Sequence, residues 1–161
     1  MGALYFEDVE VGDRCTAGPY HLSKSEIIQF AKQYDPVPEN LDEEAAARSI
    51  FGGLTACSPH IFSIYVLLTT RLQPRLHFLA GLGWDELRMP NAVRPDDALE
   101  LDLSILEKRE SKSRSDRGIL RLRILLRNQR RETVLECLVA VLVARRPVAN
   151  APTHVESTGG S

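Results

Sequence analysis

Cysteine is scarce. The 161-residue chain holds three, Cys15, Cys57 and Cys137, far apart and without a CxxC pair. Neither a disulfide framework nor a zinc ribbon is supported, and the implied compartment is a reducing one. No apolar run is long enough to cross a bilayer, since the longest, residues 61–68, is interrupted by Ser63. The opening residues MGALYFEDVEVGDR lack the basic segment and apolar stretch of a secretory signal, and Phe6 breaks the myristoylation pattern. The expected location is therefore cytoplasmic, with no membrane partner. An excess of one charge is also missing: 20 basic residues face 22 acidic ones, for a net charge of -2. A chain whose main task is coating nucleic acid would be strongly basic, so nucleic acid is not an expected partner. His21, His77 and His154 share no ligand spacing with each other or with cysteine. No metal site and no cofactor are expected.

What is present is ordinary globular material, 43% hydrophobic and 26% charged. Residues 13–22 read as a weak strand, because Gly18 and Pro19 interrupt it. Ser23-Lys24-Ser25-Glu26 is a capping box, and Ile27, Ile28, Phe30, Ala31 and Tyr34 follow at helical spacing. Asp35-Pro36-Val37-Pro38 should end that helix and hold the chain extended. A short second helix is expected over residues 42–48, capped by Asp42. Ser58-Pro59 reads as N-cap and first position of a helix that is apolar on nearly all sides, and hence buried.

The period then changes from helix to strand. Leu99, Leu101, Leu103 and Ile105 alternate with Ala98, Glu100, Asp102 and Ser104, and Leu120, Leu122, Ile124 and Leu126 with Arg121, Arg123, Leu125 and Arg127. Residues 133–145 are almost continuously apolar and suit a central strand; residues 78–89 complete about four long strands. No βα alternation accompanies them, so the sheet should be antiparallel. The expected fold class is α+β, a hotdog fold with an antiparallel sheet wrapped around one long apolar helix. It should occupy residues 1–147 as a single domain, with a flexible tail at 148–161. Strands as apolar as 133–143 should not present a bare edge, which implies a homodimer through sheet continuation, or a higher oligomer of dimers.

In this order and spacing the chain resembles the MaoC-like dehydratases, or (R)-specific enoyl-CoA hydratases. The resemblance is carried by Tyr5 to Asp13, by Phe30-Ala31 with Asp35-Pro36-Val37-Pro38, and by Leu41 to Ala46. It continues through Phe51-Gly52-Gly53-Leu54, Arg94-Pro95-Asp96-Asp97 and Asn128-Gln129, and spans roughly residues 5–146. It implies addition of water to, or its removal from, the double bond of an enoyl thioester, with an acyl-CoA or acyl-carrier thioester as partner. The family uses an Asp and a His five residues apart on one loop. The Asp matches Asp35, and the His position falls on Asn40, so both are candidate catalytic residues. An amide cannot take and return a proton near neutral pH, although it can orient a water or hold the Asp35 carboxylate. The family's backbone oxyanion contact matches Ser58, whose amide remains, while the next residue, Pro59, has none. Gly53 is the substrate-binding candidate on the overhanging segment.

Simpler readings stand beside these. Asp35 before Pro36 is also an ordinary turn residue, and Asn40 an ordinary cap. Glu39 belongs to an acidic, solvated stretch, and His60 inside an apolar helix suits a buried structural histidine. Cys57 precedes a helix start, where the dipole would lower a thiol pKa, yet a buried structural thiol fits it better. Residues 108–131 carry ten cations against Glu110 and Asp116, a net charge of +8. They form either a solvated outer face or a patch for coenzyme A phosphates, with Arg114 and Arg117 as the substrate-binding candidates. Two other functions remain open on these residues: a catalytically silent thioester-binding or scaffolding subunit, and a thioesterase using Asp35 or Glu39.

Overall fold

A computed structural model describes residues 2–147; the tail expected at 148–161 lies outside the described residues. Eight residues after a 3-10 turn (Phe6–Asp8) form β1 (Arg14–His21), and the capping box then starts α1 (Lys24–Tyr34). Ser23 Oγ accepts from the Glu26 amide while the Glu26 carboxylate accepts from the Ser23 amide at 2.8 Å. Residues 35–37 leave the helix, but they are not the extended run that the two prolines suggest: the Val37 amide donates to the Asp35 carbonyl at 2.8 Å, a tight turn about Pro36. The second proline does the opposite of what the dipeptide pattern suggests: Pro38 sits at the first position of a single helical turn, α2 (Pro38–Leu41). Proline is well placed there, because its missing amide would have had no partner. Asp42 caps α3 (Glu43–Arg48) by accepting from the Ala45 amide at 2.8 Å.

The apolar helix is α4 (Ser58–Thr69), followed by β2 (Phe78–Arg88), β3 (Ala98–Glu110), β4 (Arg117–Arg127) and β5 (Thr133–Ala144). Its N-cap is Cys57 rather than Ser58, which moves one place into the helix. The sheet order is β1-β3-β4-β5-β2, with antiparallel pairs throughout. Leu99, Leu101 and Leu103 of β3, Leu120, Leu122 and Ile124 of β4, and Val139, Val141 and Val143 of β5 fill one face. Ile61, Ile64, Tyr65 and Leu68 of α4 belong to the same core. Fully burying one such side chain contributes about 1.5–3 kcal/mol, so the alternation in the strands is enough to fix which face turns inward. The result is the hotdog arrangement.

β5 is the interior strand its apolar run suggests: it lies between β4 and β2, and the edges are β1 and β2. One expectation about burial needs correction: α4 is not covered on all sides, since Val66 is 41% and Leu67 37% exposed. The uncovered apolar surface continues onto β2, where Phe78, Leu79, Leu82, Trp84 and Leu87 are all exposed. At the other edge, Gly18-Pro19 breaks the β1–β3 register and blunts β1 as a pairing surface.

The N-terminal segment closes one end of the sheet. Phe6 is buried with its ring flat over Gly118, where an added Cβ would fall 2.2 Å from ring carbons. Gly118→Ala should therefore expel or tilt that ring. Overpacking of this kind costs about 1–3 kcal/mol, which should lower Tm by several degrees in a thermal melt. An unchanged Tm would show that Phe6 does not rest on Gly118.

Candidate active site

Asp35 closes α1. Its backbone has left the helical region (φ -155°, ψ 64°), and its amide donates to the Ala31 carbonyl at 2.9 Å. The side chain is left free of capping work. The extra helical turn at Pro38 then brings Asn40 back over it. Asn40 Nδ2 donates to Asp35 Oδ2 at 2.9 Å and to the Asp35 carbonyl at 3.3 Å. Of the two tasks open to an amide at this position, the geometry selects holding the carboxylate. Both residues are half-buried.

The N-terminus of α4 lies against this pair. The Asp35 carboxylate is near enough to Cys57 to oppose ionisation of its thiol, although burial is the larger cause of that raised pKa. A helix start alone would have pushed the thiol the other way. Among the described residues the Ser58 amide has no hydrogen-bond partner, Pro59 has no amide, and the His60 amide is spent on the Cys57 carbonyl at 3.0 Å. The first turn thus keeps an unspent donor at Ser58, at the positive end of the dipole. Ser58 itself is exposed.

Gly53 and Arg94 meet on the segment that follows α3. Arg94 Nη2 donates to the Phe51 carbonyl at 2.6 Å, and a Cβ on Gly53 would stand 3.3 Å from Arg94 Nη1. Reading the sequence identified Arg94 only as part of a turn; nothing local announces that its guanidinium reaches 43 residues back. Tyr34 and Val37, beside Asp35 in the chain, are exposed, as are Ile50 and Phe51, and Ile50 is 96% so. Glu39 is exposed and makes no hydrogen bond among the described residues. Two surface hollows, of about 310 and 430 Å³, are lined by other residues and do not include Asp35.

Arg114 and Arg117 are not brought to Asp35 within the chain. They flank the tip of the β3–β4 hairpin, whereas α4 begins at the opposite end, where the Ala56 amide meets the Val93 carbonyl. The 13 residues of β3 separate the two ends by roughly 40 Å. Arg117 is moreover committed to Asp116, through Nε–Oδ1 at 2.7 Å and Nη2–Oδ2 at 2.9 Å.

His60 is buried, with its ring stacked on Phe30 at 4.2 Å between centroids, and Nδ1 has no partner among the described residues. Burial pushes its pKa below the ordinary 6.5, while the Glu26 carboxylate works in the opposite direction. Glu26 also accepts from Tyr20 and Ser23, which hold its own pKa down. The unfolded chain therefore binds a proton below pH 6.5 that the folded chain refuses, and stability is lost as pH falls through that value. Between about pH 7.5 and about pH 5.5 the wild-type Tm should fall further than that of His60→Phe. Parallel Tm profiles would place the ring in a solvated setting.

The chain is similar to a MaoC-like dehydratase from Rhodospirillum rubrum, with 39% identity and a TM-score of 0.85, covering 91% of this chain and all of that one. A Bacillus subtilis protein of uncharacterised function is 28% identical over 145 residues, 88% of this chain and 100% of its own length. An R-hydratase from Pseudomonas aeruginosa shares the fold with 21% identity and a TM-score of 0.71, over 93% of this chain and 94% of its own. No protein-family model matches the chain.

Proposed function

Since the chain belongs to the MaoC-like dehydratases, we propose that it binds an enoyl or 3-hydroxyacyl thioester between Asp35 and the start of α4. The thioester oxygen accepts from the Ser58 amide, which stabilises the negative charge that develops there. Asp35 takes a proton from a water as the water oxygen bonds to the β-carbon. The resulting carboxylic acid returns a proton to the α-carbon, and dehydration runs the same steps backwards. Asn40 holds the carboxylate but relays nothing.

The observation that carries this reading is the 2.9 Å bond from Asn40 to Asp35, because it leaves one ionisable group at the site where the family uses two. Turnover should be weak and binding intact. The same bond favours a second reading, a thioester-binding subunit with no turnover at all.

The exposed apolar edge of β2 and the open side of α4 suit a second copy of this chain, making a homodimer with a continuous sheet. Crotonyl-CoA tests the reading: calorimetry reports binding, and loss of the conjugated thioester absorbance reports hydration. Binding with slow or no hydration is expected. Absence of both would overturn the reading.

A further inference from the structure

We propose that Lys112 and Arg114 of the partner subunit anchor the phosphates of the coenzyme A or phosphopantetheine arm whose thioester sits at Asp35. This rests on the thioester reading above and names which copy of the chain supplies the anchor.

Six of the ten cations in residues 108–131 are ion-paired within the chain, so the cluster is far less free than its sequence suggests. Of the four with no ion pair among the described residues, Arg109 and Arg123 lie within β3 and β4, and Lys112 and Arg114 lie between the strands. Both are exposed at the tip of the β3–β4 hairpin and make no ion pair among the described residues. Asp116, whose carboxyl Arg114 helps to hold down by its charge, is already bound twice by Arg117. Unspent, solvated cations at a loop tip are suited to phosphate oxygens.

Within one chain they stand at the wrong end of the sheet, and symmetry corrects this. When one edge strand pairs with its own copy across a two-fold axis, the two strands run antiparallel. In the chain, Phe78 at the start of β2 pairs with Val143 at the hairpin end, and Arg88 at its finish pairs with Glu136 at the Asp35 end. Antiparallel β2 strands therefore set the hairpin end of one copy beside the Asp35 end of the other. From β2 of the partner subunit to its β3–β4 hairpin are two to three strand spacings, about 10–15 Å across the sheet. On the near side, Phe62, one helical turn after Ser58, already touches Trp84 of β2 at 5.5 Å between ring centroids. The separation left is one that an extended phosphopantetheine arm spans.

Mixed dimers test this without relying on turnover. One chain carries Ser58→Trp, which fills the carbonyl position from an exposed site; Pro59→Trp, also exposed, serves if the first lowers Tm. The other chain carries Lys112→Ala and Arg114→Ala. Calorimetry with crotonyl-CoA should show no binding to the first homodimer. The second should bind at least about tenfold more weakly than wild type, with a shallower dependence on salt. The mixed dimer should bind one crotonyl-CoA with wild-type affinity, because only an anchor from the other copy leaves one complete site. Weakened affinity in the mixed dimer would place the anchor in the same chain and overturn the proposal. So would wild-type affinity in the Lys112→Ala, Arg114→Ala homodimer, or a monomeric wild type. Failure of wild type to bind crotonyl-CoA at all would instead remove the thioester reading, and this inference with it.

Discussion

Asp35→Ala should abolish hydration of crotonyl-CoA while leaving the thioester bound and the fold unchanged. A positioned proton carrier is worth about 10²–10⁴-fold in rate, and among the described residues no other ionisable side chain bonds to this one to take over its task. The fold should tolerate the change because the cap on α1 is made by the Asp35 amide, not by its carboxylate. The half-buried Asn40 amide, once released, can turn to water. Stopped-assay rates with matched calorimetry would check both parts. Turnover surviving in Asp35→Ala would place the chemistry elsewhere in the molecule.

A charge on β2 should take the proposed dimer apart. Leu82 is 52% exposed on an edge strand whose neighbours Leu79 and Trp84 are also exposed. In a two-fold interface each substitution enters twice, so Leu82→Arg removes two apolar contacts and brings two like charges close together. Juxtaposed like charges cost several kcal/mol, and about 4 kcal/mol is roughly a thousandfold in Kd. Sedimentation at micromolar concentration should give twice the 18.0 kDa chain mass for wild type and 18.0 kDa for Leu82→Arg. A wild-type species at 18.0 kDa alone would contradict the proposed sheet continuation.

Much of the framework could be read directly from residue order. The Ser23–Glu26 box, the Asp42 cap and the period-two strands depend on spacing within a few residues, and the structure has them where spacing puts them. The errors lie where a residue's partner is distant. Pro36 and Pro38 look alike in sequence, yet only the second begins a helical turn, and that turn is what delivers Asn40 to Asp35. The apolar run of β5 marks an interior strand, and the sheet order agrees, but strand order is a tertiary property, and nothing local marks the less apolar β2 as the bare edge. The +8 segment reads as a basic patch because its acids come from elsewhere: Asp85, Asp97, Glu100 and Asp102 all lie outside it. At the candidate site, Asp35, Asn40, Gly53 and Ser58 are proposed from their place in a motif order, and of these the structure joins Asp35 and Asn40 by a hydrogen bond. The Arg94 contact, the cap at Cys57 and the orphaned Nδ1 of His60 are not legible in that order.

The central claim is that Asn40 leaves the site able to hold a thioester and short of one proton carrier. The measurement that bears on it most directly is kcat/KM for crotonyl-CoA in wild type and Asn40→His, assayed side by side with binding by calorimetry. The account predicts equal affinity and a rate for Asn40→His that is higher by about 10² or more, since a histidine can both hold Asp35 and carry a proton. Fast wild-type turnover that Asn40→His leaves unchanged or lowers would contradict it, and would show that Asp35 with an amide partner is a complete catalytic pair.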